Sequence, residues 1–290
     1  MSQQTALINF TIHLADDALI LGHRNSEWTG HGPILEQDIA ISNIALDLIG
    51  QARNFYQYAA RLMNQSGQGL PEGEWTPPEG EVTEDTLAYL RDGWDFKNCL
   101  LVEQSNGDWA RTILRQFFVS AHQFYLYERL QYSKDRELAA ICEKAYKEVV
   151  YHLRWSSEWV IRLGDGTGES HSRMEQALDD LWKFTGELFI PTAYEQQLAV
   201  EGTGIDLSLL QPKWEEKVRE IFAEATLSFP ETAANSAQGA PQRITRETGA
   251  TAGKKGGMLS GGKEGRHTEQ LGYILAEMQF LQRAYPGCEW

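Results

Sequence analysis

Nowhere in the chain do the ~18 consecutive apolar residues occur that a membrane-crossing helix requires, so no such helix is expected. The opening "MSQQTALINF" has no basic segment leading into an apolar run, so no secretory leader is expected and the location is read as cytoplasmic. Cysteine is scarce: Cys99, Cys142 and Cys288 stand far apart without zinc-type spacing, which points to free thiols in a reducing compartment. Basic charge is also short, with a formal net charge of −15. That argues against a nucleic-acid binder, which normally shows a basic face, and fits a chain kept soluble by self-repulsion or one that meets a basic partner. Alternating polar and apolar residues of useful strand length are missing. What remains, 42% hydrophobic and 23% charged over 290 residues, is enough to bury a large core.

Helical periodicity fills that composition. In "TALINFTIHLADDALILGHR" the line Leu7, Phe10, Leu14, Asp17, Leu21 follows alternating steps of three and four, placing Asp17 where an apolar residue is expected. A long helix over roughly 34–63 has the seam Ile41, Ala45, Leu48, Ala52, Phe55, Ala59, Leu62. Its second stripe, Glu36, Asn43, Asp47 and Asn54, is either interior or solvated. Thr83 caps a short helix in "TEDTLAYLRD", and Asp108 caps a third long helix running to about Tyr132 with the seam Ile113, Phe117, Ser120, Phe124, Tyr127. The fourth, roughly 135–163, has the seam Leu138, Ile141, Ala145, Glu148, His152, Trp155, Trp159, of which the tryptophans read as core. Further helices are predicted near 172–188 and 212–227, with a last one capped by Thr268. The fold class is all-α: a four-helix core with additional C-terminal helices, in one domain spanning 1–290.

Two segments interrupt this pattern. Residues 64–82 are Gly- and Pro-rich, a loop or insertion. Residues 231–266 are rich in Ala, Gly, Ser and Thr and poor in large apolar side chains, the composition of a mobile low-complexity insertion. Gly257, Gly262 and Lys263 imitate part of a phosphate-binding loop, but Glu264 stands where Ser or Thr would hold magnesium and no buried strand precedes it.

Histidine is the informative shortage. Bundle di-iron sites use about four carboxylates and two histidines, with Glu-x-x-His on two of the helices. Of seven histidines none lies between His31 and His122, so the second long helix has none. In its "DLIGQ", Asp47 is followed by Gly50 at i+3 and Gln51 at i+4. In "KEVVYHLRW", Glu148 precedes His152 by four positions rather than three, still on one helix face. Ligand count favours a buried polar network of Glu148, His152, Asp17 and Arg53 over a mononuclear site at Asp17, Asp47, Glu148 and His152, and over a di-iron centre. His122, beside the third helix's seam, is read as structural. No serine or cysteine has a recognisable base beside it in sequence, so no catalytic residue is assigned.

Several blocks together, "NIALDLIGQARNFYQYAA", "LLVEQSNGDWA", "KEVVYHLRW", "LWKFTGELF" and "HTEQLGYILAEMQFLQRAYPGCEW", resemble the structural C-subunit family of the phenylacetyl-CoA ring-1,2-epoxidase, a multicomponent monooxygenase of aerobic phenylacetate catabolism. The resemblance covers most of the chain and implies a ferritin-like bundle. It implies a non-catalytic scaffold that pairs with a related A subunit, the holder of the di-iron centre, while a reductase component delivers electrons from NADPH. It also implies that Asp17, Asp47, Gln51, Glu148 and His152 are the remnant of a metal site, with no metal or cofactor in this chain. The alternatives are an autonomous ferritin-like metal-dependent oxidase or oxygenase, and a metal-free helical binding protein.

Overall fold

The computed structural model describes residues 1–66, 81–230, 242–243, 257–285 and 288. Eleven α-helices are present among them: α1 Gln3–Ser26, α2 Leu35–Ser66, α3 Glu84–Tyr89, α4 Leu100–Glu103, α5 Trp109–Leu130, α6 Arg136–Gly164, α7 Gly168–Leu181, α8 Ala193–Glu201, α9 Gln211–Glu224, α10 Glu269–Met278 and α11 Phe280–Ala284. The two-residue strands β1 Gln242–Arg243 and β2 Leu259–Ser260 pair in parallel. The fold is all-α, a ferritin-like bundle of α1, α2, α5 and α6 with shorter helices added after it. No described helix is long and apolar enough to cross a membrane.

The helix starts follow from side-chain caps. Ser2, Asp108, Asp135 and Thr268 each accept a bond from a backbone N–H in the first turn, satisfying a donor that the helix itself cannot. The predicted seams face inward, with Ile41, Leu48, Phe55, Ile113, Phe117, Leu138 and His152 fully buried. A second aromatic core joins α5 to the C-terminal helices: Phe118 packs against Trp182, Trp214 and Phe222, and the Trp214 indole donates to the Phe118 carbonyl at 3.0 Å.

Three local expectations change. The helix predicted over 172–188 starts earlier, at Gly168, and turns into a 3-10 helix over Trp182–Phe189. Helix α8 has a sequence signal that periodicity misses: Thr192 and Glu195 form a reciprocal capping box. The stretch expected to be a mobile insertion over 231–266 has an ordered, buried end. Leu259, Ser260, Gly262 and Lys263 are buried, and Gly261 and Gly262 donate backbone N–H groups to Glu187 Oε1 at 2.7 Å each. Gly262 passes so close to the Asn98 carbonyl that any Cβ would collide with it, which explains a glycine there. Residues 231–241 and 244–256 of that insertion lie outside the described residues, as do residues 67–80 of the expected 64–82 loop.

Candidate functional site

Helices α2 and α6 run antiparallel at their contact, and each carries polar side chains one turn apart. Asp47 meets His152, with Oδ2 to Nε2 at 3.0 Å, and Gln51 donates from Nε2 to Glu148 Oε2 at 2.8 Å. The earlier residue on one helix therefore faces the later residue on the other. Spacing of i, i+4 on both helices is what makes the two pairs line up. His152 and Gln51 are buried, whereas Glu148 and Asp47 are half-buried at the rim. Four of the five residues singled out from sequence are thus brought together.

These residues do not fit a di-iron centre. The Gln51 amide donates into the Glu148 carboxylate, so that oxygen faces a hydrogen-bond donor rather than a cation. Gly50, at the position where a second histidine would stand, has open space where a side chain would project. His152 already engages Asp47. What remains falls well short of the four carboxylates and two histidines that such centres use.

The fifth residue, Asp17, belongs elsewhere. It accepts the backbone N–H of Cys99 at 2.7 Å on Oδ1, and its Oδ2 lies 3.2 Å from His13 Nε2 and 3.6 Å from Cys99 Sγ. Burial raises its pKa, but His13, the Cys99 N–H and Lys263 outweigh that and hold it below the usual carboxylate range. Arg53, expected to join the network, is instead exposed and pairs with Glu84 at 3.3 Å. Of the polar stripe on α2, Glu36 and Asn43 are exposed and Asp47 and Asn54 half-buried, so it is a rim rather than an interior line.

Sequence reasoning missed the buried polar groups that surround Asp17. Lys263 is 3% exposed, with Nζ 3.1 and 3.3 Å from the two Glu195 oxygens and 3.3 Å from the Ile190 carbonyl. Burial alone would raise the Glu195 pKa, yet Lys263 and His13 hold it down. Glu187 accepts three backbone N–H groups, from Leu100, Gly261 and Gly262. His122 is buried against Phe189, its pKa lowered to about 3, chiefly by burial, so the ring is neutral. Lys263 therefore serves as an internal counter-ion, not as the phosphate-binding lysine its glycine neighbours imitate. The warning available in sequence was an isolated lysine beside glycines in a segment bordered by "GMLS".

A parallel anchor holds the last helices. Glu103, fully buried at the end of α4, accepts from Thr268 N–H and Oγ at 2.7 Å each, from Asn98 Nδ2 at 2.9 Å, and faces His267 Nδ1 at 2.8 Å. The cysteines are free: Cys99 and Cys142 are buried and Cys288 is exposed.

Two comparisons bear on this arrangement. The model of the family described as "Phenylacetic acid catabolic protein" matches residues 1–251 and 242–290. The chain is also similar to the Escherichia coli (strain K12) protein named as the C subunit of 1,2-phenylacetyl-CoA epoxidase, at 44% identity over 290 residues, covering 100% of both chains.

Proposed function

The chain belongs to the phenylacetic acid catabolic protein family, and from that premise we propose that it is the structural C-type subunit of a phenylacetyl-CoA epoxidase. The full-length similarity to an epoxidase component of that type is the observation behind this reading. In it, the chain is one component of a multi-subunit oxygenase that acts in phenylacetate catabolism. A related A subunit holds the di-iron centre and the aromatic acyl-CoA, and a reductase component supplies electrons from NADPH. Dioxygen is consumed there, one oxygen atom entering the ring as an epoxide. This chain contributes no catalytic group.

The geometry supports a scaffold in two ways. Asp47 binds His152 Nε2 and Gln51 binds Glu148, so these side chains engage one another across α2 and α6. Such pairs join α2 to α6 without presenting a reactive group. On the same two helices, apolar side chains face outward: Leu35, Ile39 and Leu46 (the last 69% exposed) form one stripe on α2, and Val150 and Tyr151 lie exposed on α6. Exposed apolar stripes of this kind mark protein interfaces, and obligate ones commonly exceed ~2,000 Å².

Co-expression with the family's di-iron subunit tests the proposal. The two chains are expected to co-purify, and Leu46→Asp with Ile39→Asp should separate them while leaving this chain folded. A chain that stays monomeric beside the di-iron subunit at micromolar concentration would overturn the assignment.

A further inference from the structure

A carboxylate on the apolar seam of a helix needs compensation close by. For Asp17 it comes from one turn earlier and from the start of α4, and the three side chains form a triangle. Asp17 Oδ2 lies 3.2 Å from His13 Nε2 and 3.6 Å from Cys99 Sγ, while Nε2 and Sγ are 3.8 Å apart. His13, Asp17 and Cys99 are all buried. They are a nitrogen, an oxygen and a sulfur donor, the mixed set that suits borderline-soft divalent ions. The point equidistant from the three atoms lies roughly 2.1 Å from each, within the ~2.0–2.3 Å of zinc–ligand bonds.

The surroundings are those of a ligand set. His13 Nδ1 has no hydrogen-bond partner and looks at Glu195 Oε1 across 3.6 Å. A carboxylate behind an imidazole is the usual device for fixing its tautomer and leaving the other nitrogen free to bind a metal. The second oxygen of Asp17 is held by the Cys99 N–H, which fixes the carboxylate's orientation. His122 Nε2 is buried without a partner. Lys263 is bound to Glu195, so charge closes as well. A Cys99 thiolate and Asp17 match one divalent cation, Glu195 matches the Lys263 ammonium, and the neighbouring Glu187 is held by the Leu100, Gly261 and Gly262 N–H groups.

We propose that His13 Nε2, Asp17 Oδ2 and Cys99 Sγ bind one zinc-class divalent ion that ties α1 to the start of α4. This differs from the expectation of a chain without metal, and it lies apart from the Asp47, Gln51, Glu148, His152 group. The ion is structural. It replaces the thiol proton of Cys99 and any proton between His13 and Asp17.

The test uses the full chain expressed in zinc-supplemented medium and dialysed free of loosely held ions. Elemental analysis and native mass spectrometry are expected to find one zinc per chain. Cys99→Ser and His13→Gln should each lower occupancy at least tenfold, while Asp47→Asn leaves it unchanged. Refolding the wild-type chain with cobalt(II) alone should give the intense near-ultraviolet absorption of a thiolate–cobalt bond, a readout that holds even if a variant fails to fold. Less than a tenth of an equivalent of zinc with no thiolate–cobalt band would overturn the proposal and leave a proton-bonded cluster. Full zinc retention in Cys99→Ser would overturn it equally. Neither result touches the epoxidase assignment, which rests on the full-length similarity and is tested by co-purification.

Discussion

Lys263→Met removes a buried charge while keeping the length of the side-chain stem. The ammonium it deletes lies against both Glu195 oxygens at 3.1 and 3.3 Å, with both side chains 3% exposed. Without it Glu195 is an anion in the interior facing only Thr192 donors and the His13 ring. Breaking a buried pair from one side costs about 3–5 kcal/mol, because the remaining charge has no counter-ion. Glu195→Gln strands the lysine instead and should cost a similar amount. Removing both charges together is expected to cost far less than the two single losses combined, leaving a coupling of at least about 2 kcal/mol. Urea unfolding of the isolated chain, followed by tryptophan fluorescence and far-ultraviolet circular dichroism, measures the four corners of this cycle. A cost below about 1 kcal/mol for Lys263→Met, or single-site losses that simply add, would refute the reasoning. Residues 259–263 would then not be part of the core despite their burial.

Two further outcomes are expected. His152→Leu leaves Asp47 without its partner at a half-buried rim and should destabilise the chain by about 1–3 kcal/mol while the assembled epoxidase keeps its turnover; lost turnover at unchanged thermal stability would show that the pair acts in the chemistry. His267 faces two acceptors, Glu103 Oε2 at 2.8 Å and the Phe96 carbonyl at 2.9 Å; burial alone would lower its pKa, but Glu103 and these bonds hold it above the ordinary histidine value. A raised pKa in the folded state means that the tether contributes fully below about pH 6.5 and fades as pH rises through the folded value. Amide hydrogen exchange in α10 should therefore accelerate more between about pH 6 and 9, after correction for the intrinsic rate, in wild type than in His267→Gln. Equal slopes would remove His267 from the anchor.

The all-α class and the inward faces of α1, α2, α5 and α6 were present in the sequence itself. Helix period and N-terminal caps are local properties, set within a few residues by the spacing of Leu7, Phe10 and Leu14 or by an Asp108 three positions before the Arg111 N–H it binds. The incomplete ligand set was equally legible, since a missing histidine and a Gly50 can be counted without coordinates. The pairing was not. That Asp47 takes His152 and Gln51 takes Glu148 depends on the register of two helices whose partners are separated by 105 and 97 residues. Asp17 marked itself as misplaced on its seam, but its partners, Cys99 and a Lys263 drawn from what composition labelled a mobile insertion, are chosen only when the core closes. Composition describes the average burial a segment can support. Whether one lysine within it enters the interior depends on a buried carboxylate waiting far away in the chain, and only the tertiary fold brings Glu195 to meet it.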